Sequence, residues 1–258
     1  MSDSYEGLST HYDLIMTSGY YDYDAYARTL LDLIGDRRRL LEIGAGTGLV
    51  CEKLLDLAPT DLEITGVDHT ESMLDQARRR LGGRAEFVQA DLRQLTVPSL
   101  FDAAYSVGGV WYYIHDDGDG EDGDSNGDGH DEAVLASHLL EEDDNINALS
   151  RVHAALKPDG LLALATQGPH RDHERTLPGG LVYSQKIRPA PDNTFTKDYY
   201  VRRAAEDRPN GPGEEIVAHQ RCDYRLYTME QAERLLKQCG FRSEGISPDG
   251  MFHYLTRQ

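Results

Sequence analysis

Long apolar runs are missing from this chain, and no stretch reaches the length that crosses a bilayer. Its first residues, Met1-Ser2-Asp3-Ser4-Tyr5-Glu6, carry neither the basic nor the apolar segment of a secretory signal, so a cytoplasmic protein without a membrane partner is expected. Cysteine is scarce as well. Cys51, Cys222 and Cys239 are odd in number and show no C-x-x-C or zinc spacing, which argues against a disulfide framework and leaves buried, reduced thiols. No metal site is expected. Positive charge is in deficit, with 26 basic against 45 acidic side chains and a formal net charge of −19. Nucleic acid and anionic lipid both require a basic face, so neither is an expected partner. The clusters Arg37-Arg38-Arg39 and Arg78-Arg79-Arg80 sit where helices or their connections end, and solvated or dipole-compensating roles suffice for them.

What is present begins with Leu40-Leu41-Glu42-Ile43-Gly44-Ala45-Gly46-Thr47-Gly48, an apolar strand with an acidic residue near its end that runs into a G-x-G-x-G turn. In a doubly wound α/β sheet the first strand-to-helix turn is where a nucleotide lies, and glycines let the backbone approach it. The spacing separates two ligand classes. A dinucleotide fingerprint is G-x-G-x-x-G with a pyrophosphate on the helix N-terminus, but position 49 is leucine and the third glycine comes one residue early. Glu42 would repel a pyrophosphate, whereas the ammonium and sulfonium groups of S-adenosylmethionine are both positive and favour a carboxylate there.

The following segments keep the βαβ order. Leu62 to Asp68 reads as a strand ending in a carboxylate able to accept both ribose hydroxyl protons. His69 to Ala77 opens a helix with Thr70 as N-cap and with Met73, Leu74 and Ala77 on one face, which places Met73 against an adenine. Ala85 to Ala90 is a third strand followed by Asp91-Leu92, a carboxylate and a backbone N–H that can read the adenine edge. Phe101 to Val107 is a fourth, carrying Ser106 at its end. At 258 residues the chain can bury one core with an elaboration, or at most a large and a small domain, and it shows no internal repeat.

Together these residues resemble the class I S-adenosylmethionine-dependent methyltransferases over Arg39 to about Thr166. The resemblance implies a Rossmann-like α/β fold, a doubly wound sheet with helices on both faces, and S-adenosylmethionine as cofactor. It implies that Glu42, Gly44, Gly46 and Gly48 hold the methionine part, Asp68 the ribose, and Asp91 and Leu92 the adenine. His69, Met73 and Ser106 complete the expected cofactor contacts. Leu156-Lys157-Pro158-Asp159-Gly160-Leu161 and the later Tyr227-Thr228 through Gly240-Phe241 run also resemble the family.

Residues 1–36 are expected to form N-terminal lid helices ahead of a domain over 37–258. Asp116 to Glu132 reads DDGDGEDGDSNGDGHDE, without an apolar residue to bury, and is expected to be a flexible acidic insert. Asp122, Asp124, Asn126 and Gly127 match half of an EF-hand loop, but Ala133 stands where its bidentate acid belongs, so a solvated loop is favoured. A helix over Asn145–Leu156 and a strand over Leu161–Ala165 follow, then a substrate-side elaboration over about 167–222. Within and beyond it, Glu215 to Tyr227 alternates like an edge strand. Thr228 can cap a last helix, Met229–Cys239, and a final strand lies near Met251–Leu255.

The segment above the cofactor, Ser106 to His115, lacks the Asn- or Asp-Pro-Pro-aromatic motif of base, RNA and glutamine N-methyltransferases. It is an apolar, aromatic wall, and Tyr5, Tyr12, Tyr20, Tyr21, Tyr23 and Tyr26 add rings ahead of the first strand. Such walls suit a small organic acceptor. His11-Tyr12-Asp13-Leu14-Ile15 is similar to the N-terminal lid of small-molecule methyltransferases, among them dimethyltransferases of nucleotide-linked amino sugars, which implies that Tyr12 covers the methionine end and that Arg28 reaches toward its carboxylate. Tyr12 and His115 are the candidate catalytic residues. A general base for a hydroxyl or carbon acceptor is sought among His11, His115 and His219, with His115 first. The expected function is in-line methyl transfer to N or O of a small molecule. A non-catalytic S-adenosylmethionine-binding partner subunit and a nicotinamide oxidoreductase are the alternatives, and the lid or the edge strand leaves a homodimer open.

Overall fold

The computed structural model of the protein describes residues 7–19, 21–58, 61–97, 100–115, 134–205 and 213–258. The acidic insert at 116–132, with its half EF-hand loop, lies outside these residues, as do Tyr5 and Tyr20.

Leu40, Leu41 and Ile43 occur on both faces of one short strand, and a strand apolar on both faces must be covered on both. β1 (Arg39–Ile43) accordingly lies between β2 (Glu63–Asp68) and β4 (Phe101–Ser106), parallel to each. β3 (Glu86–Gln89) extends the parallel sheet beyond β2, and β7 (Leu156–Gln167) extends it beyond β4. β13 (Phe252–Arg257) runs antiparallel on β7 and pairs in turn with β12 (Phe241–Ile246). On one face Leu41 and Ile43 pack with α5 (Glu142–Ala155) and α6 (Met229–Gln238). On the other, Leu40 packs with α2 (Tyr23–Ile34) and α3 (Leu49–Leu57), and Leu81 at the end of α4 (Glu71–Leu81) joins them. This is the Rossmann-like α/β arrangement expected.

Local chemistry sets the helix ends. The Asp22 carboxylate accepts the Ala25 N–H at 2.9 Å to open α2. Thr228 and Gln231 form a reciprocal capping box at α6, with Thr228 N–H donating to Gln231 Oε1 at 2.9 Å. All three cysteines are buried thiols. Among the described residues, no helix is long and apolar enough to cross a membrane.

A second, antiparallel sheet grows from the end of β7. β5 (Trp111–Ile114) pairs with Thr166 and Gln167, and β6 (Val134–Ser137), β11 (Gly213–Tyr227), β10 (Thr194–Ala205), β9 (Leu181–Ala190) and β8 (His173–Leu177) follow in that order. The alternating segment at 215–227 is therefore not an edge strand: Leu226 pairs with Ala136 on one side while Tyr224 pairs with Phe195 on the other. Alternation reports one buried face and says nothing about neighbours in the plane of the sheet. α1 (Ser9–Met16) lies across this sheet, with Ile15 and Met16 packed among Tyr183, Tyr199 and Tyr224.

Candidate functional site

The glycine turn after β1 is held close to the turn after β4. Gly44 has φ near +70°, and a Cβ there would stand 2.7 Å from Cα of Gly109, so neither the conformation nor the space admits a side chain. Gly46 follows with its N–H donating to Asp68 Oδ2 at 2.9 Å, and Thr70 N–H donates to Oδ1 at 2.9 Å. Gly48 begins α3 where it packs on Ala77 and Leu81 of α4. Burial drives the Asp68 carboxyl upward from its ordinary pKa, and the two backbone donors work against that rise. Met73 is buried beneath the turn, its methyl 3.6 Å from where a Cβ of Gly46 would be.

Glu42 is the unusual group. It is 3% exposed, and its Oε2 is buried with no hydrogen-bond partner among the described residues. Burial, with the charge of Asp68 adding to it, raises its pKa to about 8, although the Tyr105 hydroxyl pulls the other way. Ser106 Oγ, also buried, is likewise unsatisfied among the described residues. Buried polar groups are ordinarily hydrogen-bonded, and a polar ligand at this turn would complete the bonding of both.

Two clefts meet here. One is lined by Glu42, Gly44, Thr47, Tyr23 and Val107. The other is lined by Tyr21, Tyr112, Gln167, His170, Lys197 and Tyr224. Tyr12 lines both. α1, which carries Tyr12, is fastened over the glycine turn: Asp13 accepts the Thr47 hydroxyl at 2.6 Å and pairs with Arg80, whose Nε donates to the Thr47 carbonyl at 3.0 Å. Gln76 of α4 also donates to the Ser9 carbonyl at 2.9 Å. Arg80, a solvated or dipole-compensating residue by its position in sequence, therefore ties the N-terminal helix to the turn.

The remaining sequence-predicted residues are distributed unevenly. Leu92 is buried in a single 3-10 turn after Asp91, but the Asp91 carboxylate is engaged by Arg93, through its backbone N–H at 2.9 Å and its guanidinium. Desolvation would raise the Asp91 pKa, and the Arg93 hydrogen bonds outweigh it and hold the pKa below the usual carboxylate value. His69 is half exposed, with Nδ1 3.7 Å from Asp68 Oδ1. His115 is exposed and lines neither cleft, because its N–H closes β5 onto the Gln167 carbonyl at 3.0 Å. His219 pairs with Asp198 at 2.8 Å and stacks on Tyr200, on the face of β10 opposite Lys197 and Tyr199. Arg28 is exposed on α2, and His11 contacts Thr10 Oγ1 at 3.0 Å.

Sequence reasoning missed Lys197, His170 and Gln167, whereas Tyr112 belongs to the aromatic wall expected over Ser106 to His115. A signal was present for the first: Phe195, Lys197, Tyr199 and Val201 alternate, which puts a lysine on the apolar face of a strand.

Residues 40–121 match the family described as a methyltransferase domain, covering β1 through β5. A candidate methyltransferase of Bacillus subtilis is 23% identical over 95% of this chain and 89% of its own length. A ubiquinone/menaquinone biosynthesis C-methyltransferase of Ectopseudomonas oleovorans is 30% identical over 45% of this chain and 74% of its own length. Among solved structures, an amino pentose methyltransferase of Micromonospora echinaspora superposes with a TM-score of 0.67 at 18% identity, over 96% of both chains. The sequence match to the family at the glycine turn and the shared fold agree, and the chain belongs to the class I S-adenosylmethionine-dependent methyltransferases.

Proposed function

We propose that the cleft at Glu42 takes the methionine end of S-adenosylmethionine, the cleft at Lys197 a small-molecule acceptor of its methyl group through N or O, and that Tyr12 stands at their junction. The observation that carries this reading is the buried, unsatisfied Glu42 carboxyl beside the Gly44 turn, a cradle for a positively charged ligand. Bound there, S-adenosylmethionine supplies a methyl group on a cationic sulfur. Glu42 draws its positive end inward, Asp68 accepts the ribose hydroxyls, and Met73 and Leu92 flank the adenine. Asp91 reads the adenine edge with whatever acceptor capacity Arg93 leaves. Ser106 Oγ offers a further polar contact at the end of β4. Tyr12 closes the junction against water, so that orientation supplies much of the rate. The fold neighbour's acceptor is an amino pentose, which supports a small polar molecule rather than a polymer as the substrate class.

Calorimetric titration with S-adenosylmethionine, S-adenosylhomocysteine and NADH tests the reading. Binding of the two adenosyl compounds but not NADH is expected, and the reverse pattern would defeat it.

Glu42 adds a pH signature. Its pKa is raised from 4.5 to about 8, so the ligand-free protein holds a proton there that the unfolded chain has lost. Stability associated with the protonated carboxyl is full below the unfolded value and declines as pH rises toward about 8. A cationic ligand displaces that proton, so affinity for S-adenosylmethionine should climb with pH and level off above about 8. Glu42→Gln should remove both the decline in melting temperature and the climb in affinity, and should bind more weakly on the plateau. An unchanged pH profile in the variant would sink the assignment.

A further inference from the structure

Nitrogen bases are built into the wall of the acceptor cleft. Lys197 is 1% exposed and places Nζ 3.1 Å from Nδ1 of His170, whose Nε2 lies 2.9 Å from the Tyr112 hydroxyl. Nζ also stands 4.8 Å over the Tyr199 ring. These groups come from β10, the connection after β7, and β5, yet they converge on one cleft. Burying an amine here carries a desolvation cost that an apolar residue in the same position of β10 would not. Beside them, the Gln167 side chain is buried, and its Nε2 donor is unsatisfied among the described residues. On the same sheet face as Lys197, Tyr224 lines the cleft and is stacked on Phe195, centroids 4.6 Å apart and planes 5° from parallel.

We propose that this cleft takes an acceptor bearing an acidic hydroxyl on a flat ring, a phenol-type alcohol, and holds it as its anion, the hydroxyl proton passing to Nζ of Lys197. The inference rests on the assignment of this cleft to the acceptor. In the step the O–H bond breaks, an N–H bond forms, and the electron pair stays on oxygen, where Gln167 can donate to it. That oxygen then has the free pair a nucleophile needs. An aliphatic alcohol is too weak an acid to surrender its proton to an amine, whereas a phenol is far closer to the amine in acidity and the ion pair formed favours the transfer. Proton transfer from a phenol leaves an ion pair, whereas transfer from an ammonium leaves a single cation with no counter-charge beside it.

Among the described residues, the titratable groups around Lys197 include His138, His170, His173 and Cys222, together with the tyrosines that line the cleft, Tyr12, Tyr21, Tyr112, Tyr199 and Tyr224. Burial lowers Lys197 to about 7, with Cys222 opposing, and burial together with the lysine's charge keeps His170 at about 2 and His138 at about 3. The imidazoles are therefore neutral, and an uncharged amine is available near neutral pH.

The probe is 4-nitrophenol, whose anion absorbs apart from its acid, added to the full-length protein saturated with S-adenosylhomocysteine. Bound phenol should ionise with an acid constant about tenfold or more above that of the free compound. Lys197→Met should abolish the shift and His170→Gln should reduce it, with S-adenosylhomocysteine affinity in both within about twofold of the parent. An absent shift in the parent protein overturns the proposal, as does a shift that survives in Lys197→Met or tighter binding of benzylammonium than of 4-nitrophenol. Failure of S-adenosylhomocysteine to bind the parent protein would instead overturn the underlying assignment of the clefts.

Discussion

Replacing Asp68 by alanine is expected to weaken S-adenosylmethionine binding tenfold or more, the largest loss from any single side chain proposed to hold the cofactor. A hydrogen bond to a charged group contributes ~1.5–3 kcal/mol, and about 1.4 kcal/mol is one decade of affinity. The carboxylate also organises the cleft before any ligand arrives, because it accepts the N–H groups of Gly46 and Thr70 together. Alanine leaves both donors without that acceptor and loosens the glycine turn, so its effect includes lost pre-organisation. Asp68→Asn separates the two contributions: one carbonyl oxygen remains to accept from the backbone, but the negative charge is gone. Calorimetry should place Asn between the parent and Ala. Unchanged affinity in a folded Asp68→Ala protein would remove Asp68 from the ribose site.

The glycine turn and the carboxylate that closes on it were legible because their chemistry is local in sequence. Gly44, Gly46 and Gly48 are required by one turn, and Asp68 closes on that turn from the end of the adjacent strand, as βαβ geometry demands. Of the second cleft only the aromatic wall at Tyr112 was legible, for the opposite reason. Tyr112, His170 and Lys197 form one wall only after the second sheet assembles, and no spacing encodes that. Histidine was sought as the base by residue type, yet His115 and His219 face away from the clefts, while the lysine that lines one was passed over in a stretch dense in prolines and arginines. Asp91 shows a subtler limit. Its position in the motif was visible, but a 3-10 turn that folds Arg93 back onto its carboxylate is not visible in an Asp-Leu-Arg string.

Assembly of that acceptor wall depends on one buried amide, and the second large effect is expected there. Asn145 is fully buried at the start of α5; its Oδ1 accepts from Trp111 Nε1 at 2.8 Å and from Ser137 Oγ at 2.6 Å, while its Nδ2 donates to the carbonyls of Leu139 and Glu141 at 2.7 and 2.9 Å. One side chain thus joins β5, β6 and the entry to α5. Asn145→Ala strands the Trp111 and Ser137 donors in the core and opens a cavity. Each stranded group costs ~1–3 kcal/mol, so a total of about 3–5 kcal/mol follows, or roughly 10 °C in melting temperature for a chain of this size. The damage should also be unequal. Tyr112, next to Trp111 on β5, lines the cleft proposed for the acceptor, whereas Glu42, Gly44 and Asp68 belong to the parallel sheet and its glycine turn, which make none of these bonds. Below its new melting temperature the variant should bind S-adenosylhomocysteine within about threefold of the parent while losing most of its 4-nitrophenol binding. A melting temperature within 2 °C of the parent, or equal losses at the two clefts, would show that Asn145 does not anchor the second sheet.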